Sequence, residues 1–156
     1  MGLDATVNCN CFELGLHKEQ PPCTVVVTAD GSLDCKSNDL DTQLSFDKWQ
    51  LHACEHESGI LLHHRIGNIA QVGLLRSELK QDELKFPILL TKVLYNGIHS
   101  GDYLTSTDID DLQLELDNLR SWLCSTPSNQ EYIDWFRQQM TELVEAATKV
   151  RKPISF

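Results

Sequence analysis

The chain opens on alternation. Leu3, Ala5, Val7, Cys9 and Cys11 alternate with Asp4, Thr6, Asn8 and Asn10, the two-residue period of a strand with one face turned inward. That period puts both thiols on the inner side with the aliphatics. After a break at LGLHKEQPP, the segment CTVVVTADGSLDC supplies a β-branched run, an Asp30-Gly31 turn and a short return ending near Cys35, which predicts a hairpin.

From Asn38 the period becomes helical. On a wheel of about 100° per residue, residues 40–57 place Leu40, Leu44, Phe46, Leu51, Ala53 and Cys54 on a broad apolar arc, with Asp41, Ser45, Lys48, His52, Glu55 and His56 on the other side. A helix of that length separates Cys54 from His52 and His56. Ile69, Val72, Leu75 and Leu79 form a second helical stripe, flanked by the small residues Ala70, Gly73 and Ser77. Pro87 suits the first turn of a helix carrying Leu89, Leu90, Val93 and Leu94, and Asn96-Gly97 suits its end. Thr107 with Asp110 resembles an N-terminal cap, after which Ile109, Leu112, Leu116, Leu119 and Leu123 recur at steps of three and four. Pro127 breaks the run, and Ile133, Phe136, Met140, Leu143, Ala147 and Val150 repeat it. The two last helices are expected to form an antiparallel hairpin.

The fold class predicted is α+β: an N-terminal antiparallel sheet of about three strands in residues 1–36, packed against four or five helices in 38–156. A chain of 156 residues fits one domain and buries roughly 70% of its unfolded surface without requiring staples. Apolar residues at 41% and charged residues at 23% are those of a globular chain rather than a disordered one.

Charge narrows the partners. Against 13 basic residues stand 23 acidic ones, a net charge of −10, and no Lys/Arg stripe interrupts the excess. Phosphate backbones are repelled, so no nucleic acid is expected, whereas a basic protein partner is favoured. No window approaches the roughly 20 apolar residues of a membrane span, and the N-terminus lacks a basic, apolar signal segment. The expectation is a cytoplasmic protein without membrane contact. Gly2 with Thr6 fits the short myristoylation pattern, but the strand would have to release its start to expose a lipid.

The opening MGLDATVNCNCFE, the central ACEHESGILLHHRIGN, the segment KVLYNGIHSGDYL and the closing RKPISF resemble a family of small bacterial proteins of unassigned activity. The resemblance spans essentially the whole chain and implies a single compact bacterial domain. It brings no catalytic residue, cofactor or ligand set with it.

Three groups of residues carry chemistry. Cys9, Cys11, Cys35 and Cys54 sit on the inner face of the first strand, at the end of the hairpin and on the buried side of the first helix. Six cysteines in a reducing compartment are expected as free thiols, and without a CxxC pair these four read first as small core hydrophobes. The alternative is a set of zinc thiolates. His52 and His56, spaced i, i+4, could clamp a metal across one helical turn, but Ala53 stands where a zinc protease helix carries its glutamate. The third group is His63, His64 and Arg65, which precede a helix start, together with His99, Ser100 and Asp102 in a glycine-flanked loop. If these two segments meet, they define a polar cleft able to hold an anion. The competing account gives Ser100 and Asp102 turn and capping roles and bonds His99 to backbone.

No complete catalytic motif is present. The preferred expectation is therefore a non-enzymatic acidic interaction domain, immunity-like or regulatory, with no cofactor. The alternative is a metal-binding or hydrolytic protein using residues 52–64 and the loop 97–102; its cofactor would be zinc. Thiol-nucleophile chemistry is disfavoured because both Cys11 and Cys54 are placed inward.

Overall fold

The computed structural model describes residues 2–97 and 99–156. Its architecture is α+β, with helix exceeding strand. Strand β1 (Gly2–Asn8) buries Leu3, Ala5 and Val7 on one face, as the alternation predicts. A hairpin follows, β2 (Val25–Val27) and β3 (Leu33–Cys35), closed by a turn in which Asp30 accepts from the Thr28 and Ser32 hydroxyls. Helix α1 (Leu40–His52) is capped by Asp39, whose carboxylate accepts from the Thr42 N–H. Then come β4 (Ile60–Asn68), α2 (Ile69–Leu79), a 3-10 turn (Lys80–Lys85) and a single π turn (Leu89–Val93). The chain ends with β5 (Tyr103–Leu104), α3 (Ser106–Ser121), α4 (Gln130–Val150) and β6 (Ile154–Ser155).

The sheet differs from the expectation in where its strands come from. Its order is β4-β1-β6-β5, antiparallel throughout, and the β2-β3 hairpin stands apart as a sheet of its own. β4 arises where the sequence reads as an apolar run leading into a helix. Three adjacent polar residues, His63 to Arg65, hide its alternation, and only pairing with β1 reveals it. The tail Lys-Pro-Ile-Ser-Phe supplies the inner strand β6, with Ile154 fully buried.

Capping fixes the helix starts. Asn68 and Gln71 form a reciprocal capping box on α2, and Thr105 and Asp108 form another on α3. The α3 cap thus lies two residues before the Thr107–Asp110 pair expected from sequence. Asp108 also receives Lys92 Nζ at 2.6 Å. Burial alone would raise the Asp108 carboxyl, but Lys92 and Thr105 outweigh it and hold it below its ordinary range.

Most of the body's core lies between the sheet's inner face and the helices. Ile133, Phe136, Met140, Leu143, Val144 and Ala147 of α4 meet Ile109, Leu112, Leu116 and Leu119 of α3 and Leu3, Ala5 and Val7 of β1. Each large aliphatic or aromatic side chain so buried contributes about 1.5–3 kcal/mol. α3 and α4 pack on one another as the predicted helical hairpin. Leu123, expected on that stripe, falls beyond the end of α3 and is exposed. Ile69, the first residue of α2, is likewise exposed.

A second, smaller core lies in the segment between β1 and β4. Cys35, Phe46, Trp49 and Ala53 are its buried residues, with Phe12, Cys23, Val25 and Leu33 packed around them. Leu40, Leu44 and Leu51, read from sequence as part of the buried arc of α1, are exposed instead. The correction has a simple cause: Phe46 and Trp49 are larger, and the core forms around their side of the helix. Helix α1 also stops at His52, short of the expected residue 57.

Glu115 on α3 performs a capping role across elements. Its buried carboxylate accepts the N–H groups of Ile88, at 2.6 Å, and Leu89, at 2.9 Å, which open the turn after Pro87 and have no intrahelical acceptor. Burial pushes its carboxyl above the ordinary range, while those two N–H groups oppose the rise. Glu115→Ala strands one buried and one half-buried donor and is expected to cost about 2–4 kcal/mol in urea unfolding, with Glu115→Gln losing less because an acceptor remains.

Candidate metal centre

At the end of the β1–β4 ladder, Asn8 pairs with Ile60 and the Cys9 N–H donates to Gly59 O at 2.8 Å. Beyond that point both chains turn away from the sheet, one as Cys9-Asn10-Cys11 and the other arriving as Cys54-Glu55-His56. Four potential ligand atoms meet there: the sulfurs of Cys9, Cys11 and Cys54 and a ring nitrogen of His56, all within 4.8 Å of one another.

Three of the six separations lie near the edges of a coordination tetrahedron. Zinc–sulfur bonds of about 2.3 Å and zinc–nitrogen bonds of about 2.0–2.1 Å imply ligand–ligand edges near 3.8 Å for two sulfurs and near 3.6 Å for sulfur and nitrogen. Cys9 Sγ and Cys54 Sγ lie 3.7 Å apart. His56 Nδ1 lies 3.3 Å from Cys11 Sγ and 3.8 Å from Cys54 Sγ. Cys11 and Cys54 are buried, and Cys9 and His56 are half-buried.

The backbone is arranged to support thiolates. In each turn the residue two positions on offers its N–H to the first sulfur: His56 N–H donates to Cys54 Sγ at 3.4 Å, and the Cys11 N–H stabilises ionised Cys9. With protons on the sulfurs the cluster is poor in charge. Burial pushes the Cys11 thiol up to about 12, and bonding with Cys9 and Cys54 adds to the rise. Cys9 is raised as well, chiefly by burial. Three ionised thiols this close require a cation between them, so the group is poorly suited to a free nucleophile and well suited to a metal. A small cavity of about 20 Å³ adjoins the cluster, lined by Cys9, Cys11 and Cys54 with Phe12, His17 and Trp49. It has room for one small particle. His17 Nδ1 is buried without a hydrogen-bond partner, and no spacing in the sequence marks that residue.

Of the six metal candidates expected from sequence, Cys9, Cys11, Cys54 and His56 come together. Cys54 and His56 converge because α1 ends before them; the longer predicted helix would have held them apart. His52 remains exposed on the last turn of α1. Cys35 is disulfide-bonded to Cys23 across the hairpin. That bond corrects the expectation of six free thiols, and its cause is register, since Val25 pairs with Cys35 and leaves Cys23 just beyond the paired stretch. Cys9, Cys11, Cys54 and Cys124 are free.

The two halves of the expected polar cleft do not meet. β4 and β5 occupy opposite edges of the sheet, and the row Tyr103, Ser155, Thr6, His63 crosses all four strands, a width of about 14 Å. Strand alternation also divides the basic triplet. His64 pairs with Ala5 and turns to the helix face, where its Nε2 lies 2.8 Å from Glu142 of α4. His63 and Arg65 turn to the open face, each 3.7 Å from Asp4. At the far edge His99 is buried between the rings of Tyr95 and Phe156, its Nε2 2.8 Å from Val93 O and its Nδ1 3.4 Å from Asp102. The Tyr95 hydroxyl donates to Asp102, and Ser100 is exposed. A cleft of about 620 Å³ elsewhere, beside Tyr103, Ser106 and Arg151, gathers no comparable ligand set.

Comparison with protein-family models, with curated proteins and with solved structures finds no match. Among the described residues no helix is long and apolar enough to cross a membrane.

The partition of the triplet is testable by stability. His64→Ala, which breaks the link between β4 and α4, is expected to cost about 1–2 kcal/mol in denaturant unfolding. His63→Ala, on the open face, should stay within about 0.5 kcal/mol of the parent.

Proposed function

We propose that this chain is a non-enzymatic, zinc-stapled interaction domain, in which Cys9, Cys11, Cys54 and His56 hold one zinc ion that fixes the segment between β1 and β4. The supporting observation is that three sulfurs and one imidazole nitrogen, from turns 45 residues apart, gather within 4.8 Å of one another, three of their six separations lying near tetrahedral edge lengths. Soft thiolates with imidazole select zinc over magnesium, calcium or manganese.

Four protein ligands leave no vacant position. Structural zinc sites are closed in this way, whereas catalytic ones keep a place for water or substrate. The hydrolytic reading loses its support on that ground. Energetics favour a structural role too. The small core has only Cys35, Phe46, Trp49 and Ala53 fully inside, and burial of about 1.5–3 kcal/mol per large side chain cannot offset backbone ordering of about 1–2 kcal/mol per residue over a segment of this length. The Cys23–Cys35 disulfide closes one part of it, and the metal closes the part next to the sheet. With the ion structural, the protein acts through its surfaces, and the acidic excess of 23 residues over 13 basic ones favours a basic protein partner.

Elemental analysis of purified protein is expected to give one zinc per chain, abolished by Cys54→Ser and by Cys11→Ser. Removing the metal with a strong chelator should remove amide-exchange protection from residues 9–59 and leave α3 and α4 protected, because binding and local folding are linked. Protein that takes up no zinc from supplemented medium, or a Cys54→Ser variant with undiminished zinc, would refute the reading.

A further inference from the structure

Helix α1 is apolar on two opposite faces. Phe46, Trp49 and Ala53 enter the small core, while Leu40, Leu44 and Leu51 point away from it and are 67%, 48% and 46% exposed. At about 100° per residue the three leucines fall within a stripe some 40° wide, roughly opposite the core side. A helix apolar all round is ordinarily covered all round. The steps of four and then seven residues are those of a coiled-coil seam, in which Asp47 takes the remaining position.

We propose that this face is covered by a second copy of the chain, α1 lying antiparallel on the α1 of that copy about a twofold axis. Centring the axis between Ser45 and Phe46 sets Leu40 against Leu51 of the second copy, Leu51 against its Leu40 and each Leu44 against its Asp47, with the two Leu44 side chains adjacent across the axis and the two Asp47 carboxylates kept apart. The same register sets Asp41 opposite Lys48 of the second copy, twice by symmetry. Asp41 and Lys48 share one flank of the stripe, both are exposed, and among the described residues neither makes an ion pair within its own chain. A parallel pairing would instead bring the two Asp47 carboxylates together in the seam and leave Asp41 and Lys48 facing Gln43 and Gln50. Charge therefore selects the antiparallel arrangement.

The three leucines offer on the order of 300 Å² per copy, well below the about 800 Å² per side of a stable interface. The pairing is consequently weak, reversible and dependent on concentration. It uses the face of α1 remote from the cysteine–histidine cluster and needs α1 folded, so on the zinc reading the pairing is measured on metal-replete protein.

Sedimentation velocity of the full chain from micromolar to millimolar concentration tests it. A monomer–dimer equilibrium is expected, weakened at least about tenfold by Leu44→Lys and weakened also by Asp41→Lys. The double variant Asp41→Lys/Lys48→Asp restores opposite charges across the axis and should recover the parent dimer. Circular dichroism confirms that these surface variants are folded. A chain monomeric at every concentration overturns the proposal, as does a dimer indifferent to Leu44→Lys. A folded double variant that fails to recover overturns the antiparallel register.

Discussion

The rest of the structure hangs on the pairing of β1 with β4. The ladder runs from Gly2 opposite Asn68 to Asn8 opposite Ile60, and its two ends have different consequences. At one end Asn68 leaves the sheet as the cap of α2. At the other, the Cys9 N–H bonds to Gly59 O and the two ligand-bearing turns are delivered to the same place. Slipping the register by one residue would move every side chain of β4 to the opposite face. His64 would then lose Glu142, and the Cys-x-Cys turn would lose its alignment with Cys-x-His.

The chain is built with unequal means on either side of that ladder. The larger core, sheet against α2, α3 and α4, is deep enough to hold itself together by apolar burial, and Glu115, Asp108 and two capping boxes satisfy N–H groups at its helix starts. The segment between β1 and β4 has a shallow core and carries the Cys23–Cys35 disulfide. Polar ties also attach it to the body: Lys152 is buried, bonds to Gly31 O and pairs with Glu13, and Asn10 donates to Val150 O. These contacts come from residues at and just after the end of α4, so the C-terminal tail anchors the same segment that carries the cysteine–histidine cluster.

Two features of this segment share one cause. α1 turns its bulkiest side chains, Phe46 and Trp49, inward and its leucines outward, and it ends at His52 so that Cys54 and His56 are free to bend back. An apolar outer face and a turn that brings Cys54 and His56 beside Cys9 and Cys11 are thus consequences of how one short helix is seated.

The sequence by itself determined the elements whose pattern is local. The alternation of β1, the hairpin with its Asp30-Gly31 turn, and the stripes of α2, α3 and α4 are all periodicities of one segment, and burial in one dominant core enforces them. It also offered Cys9, Cys11, Cys35 and Cys54 as one possible metal set and His52 with His56 as another, because Cys and His are recognisable by type. Tertiary structure alone decided which candidates meet. A cluster of three sulfurs and one imidazole nitrogen from turns 45 residues apart has no local period, so its members could not be separated from Cys35 and His52 until the β1–β4 register was known. The same holds for β4, where three consecutive polar residues mask the alternation until Asp4 and Glu142 claim alternate members. For α1 the wheel gave an apolar arc but not the face that would be buried, because that depends on which side chains fill the volume between helix and hairpin, a property of the packed chain and not of the segment.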